Sequence, residues 1–303
     1  MMSARFLTVV LERAFNMRDG FGREIDYMRI SVIDSCNLNC YYCNPCDNNE
    51  HCHALNILSV KEVLCIVRAA TRLGIKHFRL TGGEPLLHPQ LDEMVLQIKK
   101  IPGVSSVSLT TNAVLLAQHA KWLKEAGIDS INVSLDTIDA SEYERITKKT
   151  LLEEVKHGIN AAIECGIRVK INVVLTPQTD VVALTRYVAK KGTDIRFIEM
   201  MPVGEGHTNG VEPYKKVIGT LSKLYGEPCR INTEKTKEIN SGNDKRKIPD
   251  NGPAEYYIFP ELGIRVGLIQ AIHGKFCDTC NRIRVTADGR LMPCLGSSVT
   301  MDL

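Results

Sequence analysis

Tyr27-Met28-Arg29-Ile30-Ser31-Val32-Ile33 runs directly into Asp34-Ser35-Cys36-Asn37-Leu38-Asn39-Cys40-Tyr41-Tyr42-Cys43, and this junction decides the reading of the chain. The first segment alternates. Tyr27, Arg29 and Ser31 take one side of a strand, and Met28, Ile30 and Val32 take the other. The strand then delivers cysteines spaced C-x3-C-x2-C to a single loop, where their sulfurs can converge on one metal group and leave it one ligand short. Soft thiolates select iron–sulfur clusters, zinc or copper, and spacing alone does not choose among them. Structural zinc usually closes with four ligands, and His51, Cys52 and His53 stand nearby in a polar, irregular stretch that could offer more.

Working outward, segments with strand patterning alternate with helical ones. Strands are expected at Tyr27 to Ile33, His77 to Thr81, Ser105 to Thr110, Ser130 to Ser134, Arg168 to Val174 and Asp194 to Glu199. Helices are expected at Ser59 to Leu73 with Ser59 as N-cap, Leu91 to Lys100, Leu116 to Ala126, Leu151 to Glu164 and Val181 to Lys190. This alternation implies a parallel sheet with right-handed crossovers, and six such units favour a partial or full β/α barrel over a doubly wound sheet. One strand face is apolar enough to carry helices. The other gathers Arg29, Arg79, Asn132, Arg168, Lys170 and Asn172 with several hydroxyls. Parallel strands are normally covered on both faces, so these cations point to a charged ligand inside the barrel.

Composition narrows the function. The 303 residues, 44% apolar and 24% charged, suffice for one large α/β domain with an appendage, and a net charge of only +3 leaves no broad surface for nucleic acid. Lys245-Arg246-Lys247 reads as a solvated loop. The apolar run Phe6 to Leu11 is too short for a membrane span and lacks a cleavage pattern, so no export signal is expected. Eleven cysteines in such a chain indicate a reducing compartment, the cytoplasm with an organelle as alternative, and metal chemistry in place of disulfides. Cys65, Cys165 and Cys229 are scattered singly and read as plain small residues, while Cys46 and Cys52 are weaker ligand candidates.

Two further motifs complete the pattern. Thr81-Gly82-Gly83-Glu84-Pro85 ends the second strand, where glycines permit close backbone approach, and Glu84 or exposed carbonyls could accept from an ammonium group. Near the end of the chain, Cys277, Cys280 and Cys294 form a second three-thiolate set. Asn281-Arg282-Ile283-Arg284 follows its first pair, and Thr286 to Arg290 is expected to turn the chain so that Cys294 returns to its partners.

The order of C-x3-C-x2-C after the first strand and Gly-Gly-Glu-Pro after the second resembles the radical S-adenosylmethionine (SAM) superfamily. There, an open iron binds the amino and carboxylate groups of SAM, and one electron releases a 5′-deoxyadenosyl radical that takes hydrogen from the substrate. The second triad with its Asn-Arg-x-Arg stretch extends the resemblance, over nearly the whole chain, to the GTP 3′,8-cyclase (molybdenum cofactor biosynthesis protein A) family. The fold so implied is α/β: a partial (βα)6-type barrel at residues 26–205, after a lead segment 1–25 and before an auxiliary-cluster domain 206–303. The implied cofactors are two 4Fe-4S clusters, on Cys36, Cys40 and Cys43 and on Cys277, Cys280 and Cys294, together with SAM. Tyr42, Gly83, Ser134 and Met201 match SAM contacts, and Arg29, Arg79, Thr110, Lys170, Arg282 and Arg284 match GTP contacts. Gly204-Glu205-Gly206 also matches, between the barrel and the second cluster.

The implied reaction removes hydrogen from the ribose 3′ carbon of GTP, which then attacks carbon 8 of guanine, as the first step of molybdopterin biosynthesis. Implied partners are GTP, an electron donor such as flavodoxin or ferredoxin, the downstream cyclic pyranopterin monophosphate synthase and a second copy in a homodimer, with neither membrane nor nucleic acid. Two departures stand out. Ala113 replaces a usual glycine after Thr110-Thr111-Asn112, restricting a turn, and the chain ends at Leu303, nine residues past Cys294, where the family continues to a Gly-Gly tail. Alternatives are a radical SAM enzyme acting on a peptide or another nucleotide, and a SAM- and GTP-binding protein without turnover.

Overall fold

The computed structural model describes residues 17–43, 56–202, 210–231, 252–297 and 299–303. Cys46, Cys52, their flanking histidines, Gly204-Glu205-Gly206 and Lys245 to Lys247 fall outside them. Six strands come first: β1 (Tyr27–Ser31), β2 (His77–Thr81), β3 (Ser106–Thr111), β4 (Ser130–Ser134), β5 (Val169–Val174) and β6 (Asp194–Ile198). They pair side by side in that order and all run parallel. Between them lie α1 (Val60–Arg72), α2 (Leu91–Lys99), α3 (Leu116–Glu125), α4 (Ala140–Thr147), α5 (Leu152–Glu164) and α6 (Val181–Lys190). The expected boundaries hold to within a residue or two. Ser59 caps α1 by accepting from Glu62 N while Glu62 reaches back to the Ser59 amide, a reciprocal arrangement that satisfies two otherwise orphaned donors.

The later part of the chain does not fold apart from this sheet. A π-helical turn (Tyr214–Ile218) leads into α7 (Gly219–Tyr225). Then come β7 (Cys229–Ile231), β8 (Glu255–Ile258), β9 (Arg265–Ile269), β10 (Arg282–Val285), β11 (Arg290–Met292) and β12 (Met301–Asp302). Strand β9 pairs parallel with β6 and β10 pairs parallel with β1, so the final segments extend the six-stranded sheet at both edges. The expected hairpin turn is present: β10 and β11 pair antiparallel, with Gly289 at φ 82. Its direction is set by the left-handed conformation that glycine adopts without a Cβ penalty.

Register fixes the two faces. Met28, Phe78, Val107, Ile131, Val169, Ile195, Val266 and Ile283 and their apolar partners face the helices and form one core. The opposite face lines the lumen. Helix α5 packs against α3 through Gly158, where an added Cβ would meet the Ala113 carbonyl oxygen at 2.3 Å and Leu116 Cβ at 3.0 Å. Ala113 itself is fully buried at φ 66, a conformation costing an L-residue on the order of 1 kcal/mol, and its N–H donates to Thr111 Oγ1 at 2.9 Å. The turn is thus restricted, as the missing glycine foretold. Because the atom opposing Gly158 is backbone in a strained turn, Gly158→Ala is expected to cost about 2–4 kcal/mol, read as a lowered midpoint in denaturant unfolding. An unchanged midpoint would mean that the two helices slide apart freely.

Candidate active site

Parallel strands place all their carboxyl ends on one side, and that mouth of the barrel carries the first cysteine triad. The Cys36–Cys43 loop is held by its neighbours' backbone. Asn39 N donates to Thr147 O at 3.0 Å and Tyr41 N to Ile146 O at 3.1 Å, so the end of α4 forms a template for the loop. Gly83 N donates to Ile33 O at 2.7 Å and Glu84 N to Ser35 O at 2.8 Å. A Cβ on Gly83 would sit 2.2 Å from the Ser35 oxygen, so the close approach that glycine permits here is to the backbone entering the cysteine loop.

Glu84, however, does not face a ligand. It is 1% exposed, its Oε1 accepts from Thr111 Oγ1 at 2.7 Å and Leu86 N at 3.0 Å, and its Oε2 accepts from Asn112 N at 2.7 Å. The carboxylate is a brace between strand ends, and only carbonyls at this turn are left to receive an ammonium.

Burial pushes the Cys36 and Cys43 thiols up and takes Cys40 up to about 12, with Asp136 adding to the rise at Cys40 and Cys43. Asn112 Nδ2 bonds Asn37 Oδ1 at 2.7 Å and lies 3.8 Å from Cys36 Sγ. Tyr42 donates its hydroxyl to Asp136, whose other oxygen accepts from Val174 N at 2.7 Å. Burial lifts Asp136 to about 6 although both hydrogen bonds oppose the shift. Ser134, exposed at the end of β4, and half-buried Met201, just past β6, share this mouth with Gly83.

The sign of the Asp136 shift sets a test. Its folded value lies above the ordinary carboxylate value of 3.8, so the native state takes up the proton first as pH falls through 6, and stability held back at neutral pH is recovered. Asparagine cannot titrate. Relative to Asp136→Asn, the wild type should therefore gain roughly 1.4 kcal/mol between about pH 8 and about pH 5. Thermal midpoints of both proteins at the two pH values check this, and a pH-independent difference would refute it.

The lumen is cationic. Arg29 stands in register between Arg79 on one side and Arg284 on the other, and Arg282 is level with Tyr27. Arg79 bonds the Tyr27 hydroxyl through Nε and reaches Thr110 Oγ1 at 3.3 Å through Nη1. Across the lumen lie buried Lys170, in register with Asn132, and buried Arg196, whose Nε donates to Asn172 Oδ1 at 2.9 Å. Burial first, then Arg284 and Arg79, push the Arg29 guanidinium down to about 9. Burial and Arg282 likewise lower Arg284. Such a group is costly unless an anion joins it. Arg29 Nε, Arg282 Nε and one terminal nitrogen of Arg196 are buried without a hydrogen-bond partner, and each can serve as a donor to a ligand.

The second triad lies at the opposite mouth. Cys277 and Cys280 precede β10 and Cys294 follows the antiparallel β11, which places all three at the amino ends of the parallel strands. Cys280 and Cys294 both act on Arg284, and Cys277 and Cys280 both act on Arg23, so the set surrounds one region. Arg23, paired with Asp19, donates to Cys277 O at 2.5 Å, and Asn281 Nδ2 donates to Asp26 Oδ1 at 2.6 Å. The residues leading into β1 thereby brace this loop.

All six cysteines, Tyr42, Gly83, Ser134, Met201 and the cations thus border one lumen. The sequence reading passed over Arg196, Asn112, Asp136 and Arg23. Arg196 had a signal, since it alternates with Ile195 and Phe197; the other three had none beyond standing at strand ends.

Thiolate loop, glycine turn and parallel barrel together define a radical SAM protein. Residues 30–184 match the Radical SAM superfamily and residues 193–303 match Molybdenum Cofactor Synthesis C. SuiB of Streptococcus suis bound to S-adenosylmethionine superposes with a TM-score of 0.65 at 14% identity over 92% of this chain, which spans 63% of SuiB. Native anSMEcpe with bound AdoMet gives 0.60 at 18% identity, covering 90% of this chain and 75% of that one. These two establish the shared fold. Closer in sequence, the GTP 3′,8-cyclase of Clostridium perfringens (strain SM101 / Type A) is 37% identical, covering 92% of this chain and 83% of its own length. That of Pelotomaculum thermopropionicum is 38% identical, covering 95% and 86%. The chain belongs to the GTP 3′,8-cyclase family.

The family's cofactors, two 4Fe-4S clusters and SAM, fit these residues. Each mouth offers three soft thiolates, short of the four that would close a structural site, and Gly83 lets its turn pack directly on the backbone that leads into the cysteine loop.

Proposed function

We propose that this chain cyclises GTP, joining the ribose 3′ carbon to carbon 8 of guanine to give (8S)-3′,8-cyclo-7,8-dihydroguanosine 5′-triphosphate, the first step toward molybdenum cofactor. The single observation that carries the proposal is a cation-lined lumen with a thiolate triad at each mouth. Strands of about five residues separate the mouths by roughly 15–20 Å, a span that a nucleotide and SAM can bridge end to end. The names of the relatives add support.

In this reading Cys36, Cys40 and Cys43 hold the SAM-binding cluster, and Tyr42, Gly83, Ser134 and Met201 hold SAM. Cys277, Cys280 and Cys294 hold the second cluster. Arg29, Arg79, Thr110, Lys170, Arg282 and Arg284 hold GTP, and Arg196 joins them. When bound, the cofactors supply the electron and the hydrogen-abstracting radical. The protein's own task is placement: guanidinium forks fix the triphosphate, and the fixed nucleotide meets the reactive group without a search for geometry. Barrel residues 26–205 and auxiliary residues 206–303 would each contribute one mouth. A flavodoxin or ferredoxin as electron donor, the cyclic pyranopterin monophosphate synthase as recipient, a homodimer and a cytoplasmic setting complete the proposal. No described helix is long and apolar enough to cross a membrane.

The test is anaerobic. After cluster reconstitution, SAM, reductant and GTP are added, and 5′-deoxyadenosine and cyclised GTP are followed by mass spectrometry. Both products are expected in equal amounts. Deoxyadenosine alone would point to another substrate, and neither product with intact clusters would favour a binding role.

A further inference from the structure

We propose that Asn112 is a positioning residue for the cluster on Cys36, Cys40 and Cys43: its side-chain N–H, aimed at the Cys36 sulfur, eases entry of the electron that starts the reaction. The inference goes beyond the GTP reading and rests only on Cys36 being a cluster ligand. Asn112 sits just past β3 and is 9% exposed. Its Oδ1 accepts from Val114 N at 3.0 Å, which fixes the way the amide faces. The Nδ2 group then points to the cysteine loop, where it donates to Asn37 Oδ1 at 2.7 Å and to Cys36 Sγ at 3.8 Å. Leu38 N is a second donor to the same sulfur, at 3.5 Å.

The backbone that carries this amide is locked. Asn112 N donates to Glu84 Oε2 at 2.7 Å, while Glu84 Oε1 accepts from Thr111 Oγ1 at 2.7 Å. Ala113, at φ 66, donates its N–H to Thr111 Oγ1, and its carbonyl oxygen backs onto Gly158. The buried carboxylate that braces the strand ends thereby presents the amide to the sulfur before any cofactor arrives, so the donor need not reorganise when charge does. Reduction brings in one electron from the donor protein and makes or breaks no bond. The added charge is shared between the iron and its thiolates, so an N–H at Cys36 Sγ favours the reduced form and raises the potential. One buried hydrogen bond to a charged group can move that equilibrium on the order of tenfold, about 59 mV for one electron.

An anaerobic redox titration of the full chain carrying both clusters, followed by electron paramagnetic resonance, tests this without turnover. The signal missing from Cys40→Ala identifies the cluster in question. Asn112→Ser keeps an acceptor for Val114 N but falls short of the sulfur, and Asn112→Leu fills the space without a donor. In both, the ratio of reduced to oxidised cluster at a fixed potential should fall about tenfold, with iron content as in the wild type and the second cluster's midpoint unmoved. An unmoved first midpoint, or an equal shift at both clusters, would overturn the inference. So would loss of iron from both variants, which would make Asn112 a support of the loop alone. If Cys40→Ala removes no signal, the ligand assignment and the inference fall together. The GTP reading is decided separately, by its product.

Discussion

Replacing Cys40 by alanine is expected to reduce 5′-deoxyadenosine release to background while the second triad keeps its iron. Cys40 is the most strongly shifted of the three thiols at the carboxyl-end mouth, up to about 12, because burial, Asp136 and the neighbouring cysteines all oppose its thiolate. A cluster binding here would have to displace a firmly held proton, which three soft ligands acting together make possible. With Cys40 gone, Cys36 and Cys43 cannot retain a cluster that needs three anchoring sulfurs. Iron analysis should fall by about half relative to the wild type. Cys65→Ala is the control, since Cys65 lies exposed on α1 with no role in either triad. Continued deoxyadenosine release from Cys40→Ala with its iron content verified would refute the radical assignment.

Arg284→Ala should raise the Kd for GTP about 100-fold, equivalent to about 3 kcal/mol, the loss of one or two charge-assisted hydrogen bonds in a site shielded from water. SAM cleavage without cyclisation should survive, because Arg284 lies in β10 beside β1 and away from the Cys36–Cys43 loop. Arg284→Lys should restore only part of the affinity: an ammonium keeps the charge and loses the planar fork. Dialysis for GTP, alongside deoxyadenosine measured with and without GTP, separates binding from chemistry. Equal loss of both would place Arg284 in support of the fold.

What the sequence disclosed follows from local physics. Alternation in His77–Thr81 and Ser130–Ser134 and the apolar spacing of Val181–Lys190 set their bounds as observed. Helix α4 escaped because Ala140–Thr147 is short and polar, burying only Tyr143, Ile146 and Thr147; its importance lies in the two carbonyls it offers the cysteine loop. Strands β7 to β9 also escaped. Of these, only β9 has a partner far away in the chain, β6, and that pairing has no local trace; β8 and β9 themselves form a short antiparallel pair. Glu84 misled for a related reason. A carboxylate beside two glycines looks available to a ligand, yet its acceptors are consumed by Thr111, Asn112 and Leu86, a tertiary fact with no local trace. The opposed positions of the two triads were likewise hidden, since they depend on β10 lying parallel to β1.

That pairing also bears on how the chain is made. Strand β1 receives β2 as soon as roughly the next fifty residues emerge, but its other edge waits for β10 at Arg282–Val285, far downstream of every strand between them in the six-stranded core. Until the ribosome has delivered that segment, a row of free amides and carbonyls stays open beside Arg29. The nascent barrel is thus vulnerable to sticking through most of the synthesis of this sheet, and pairing across so long a stretch of chain is slow to form.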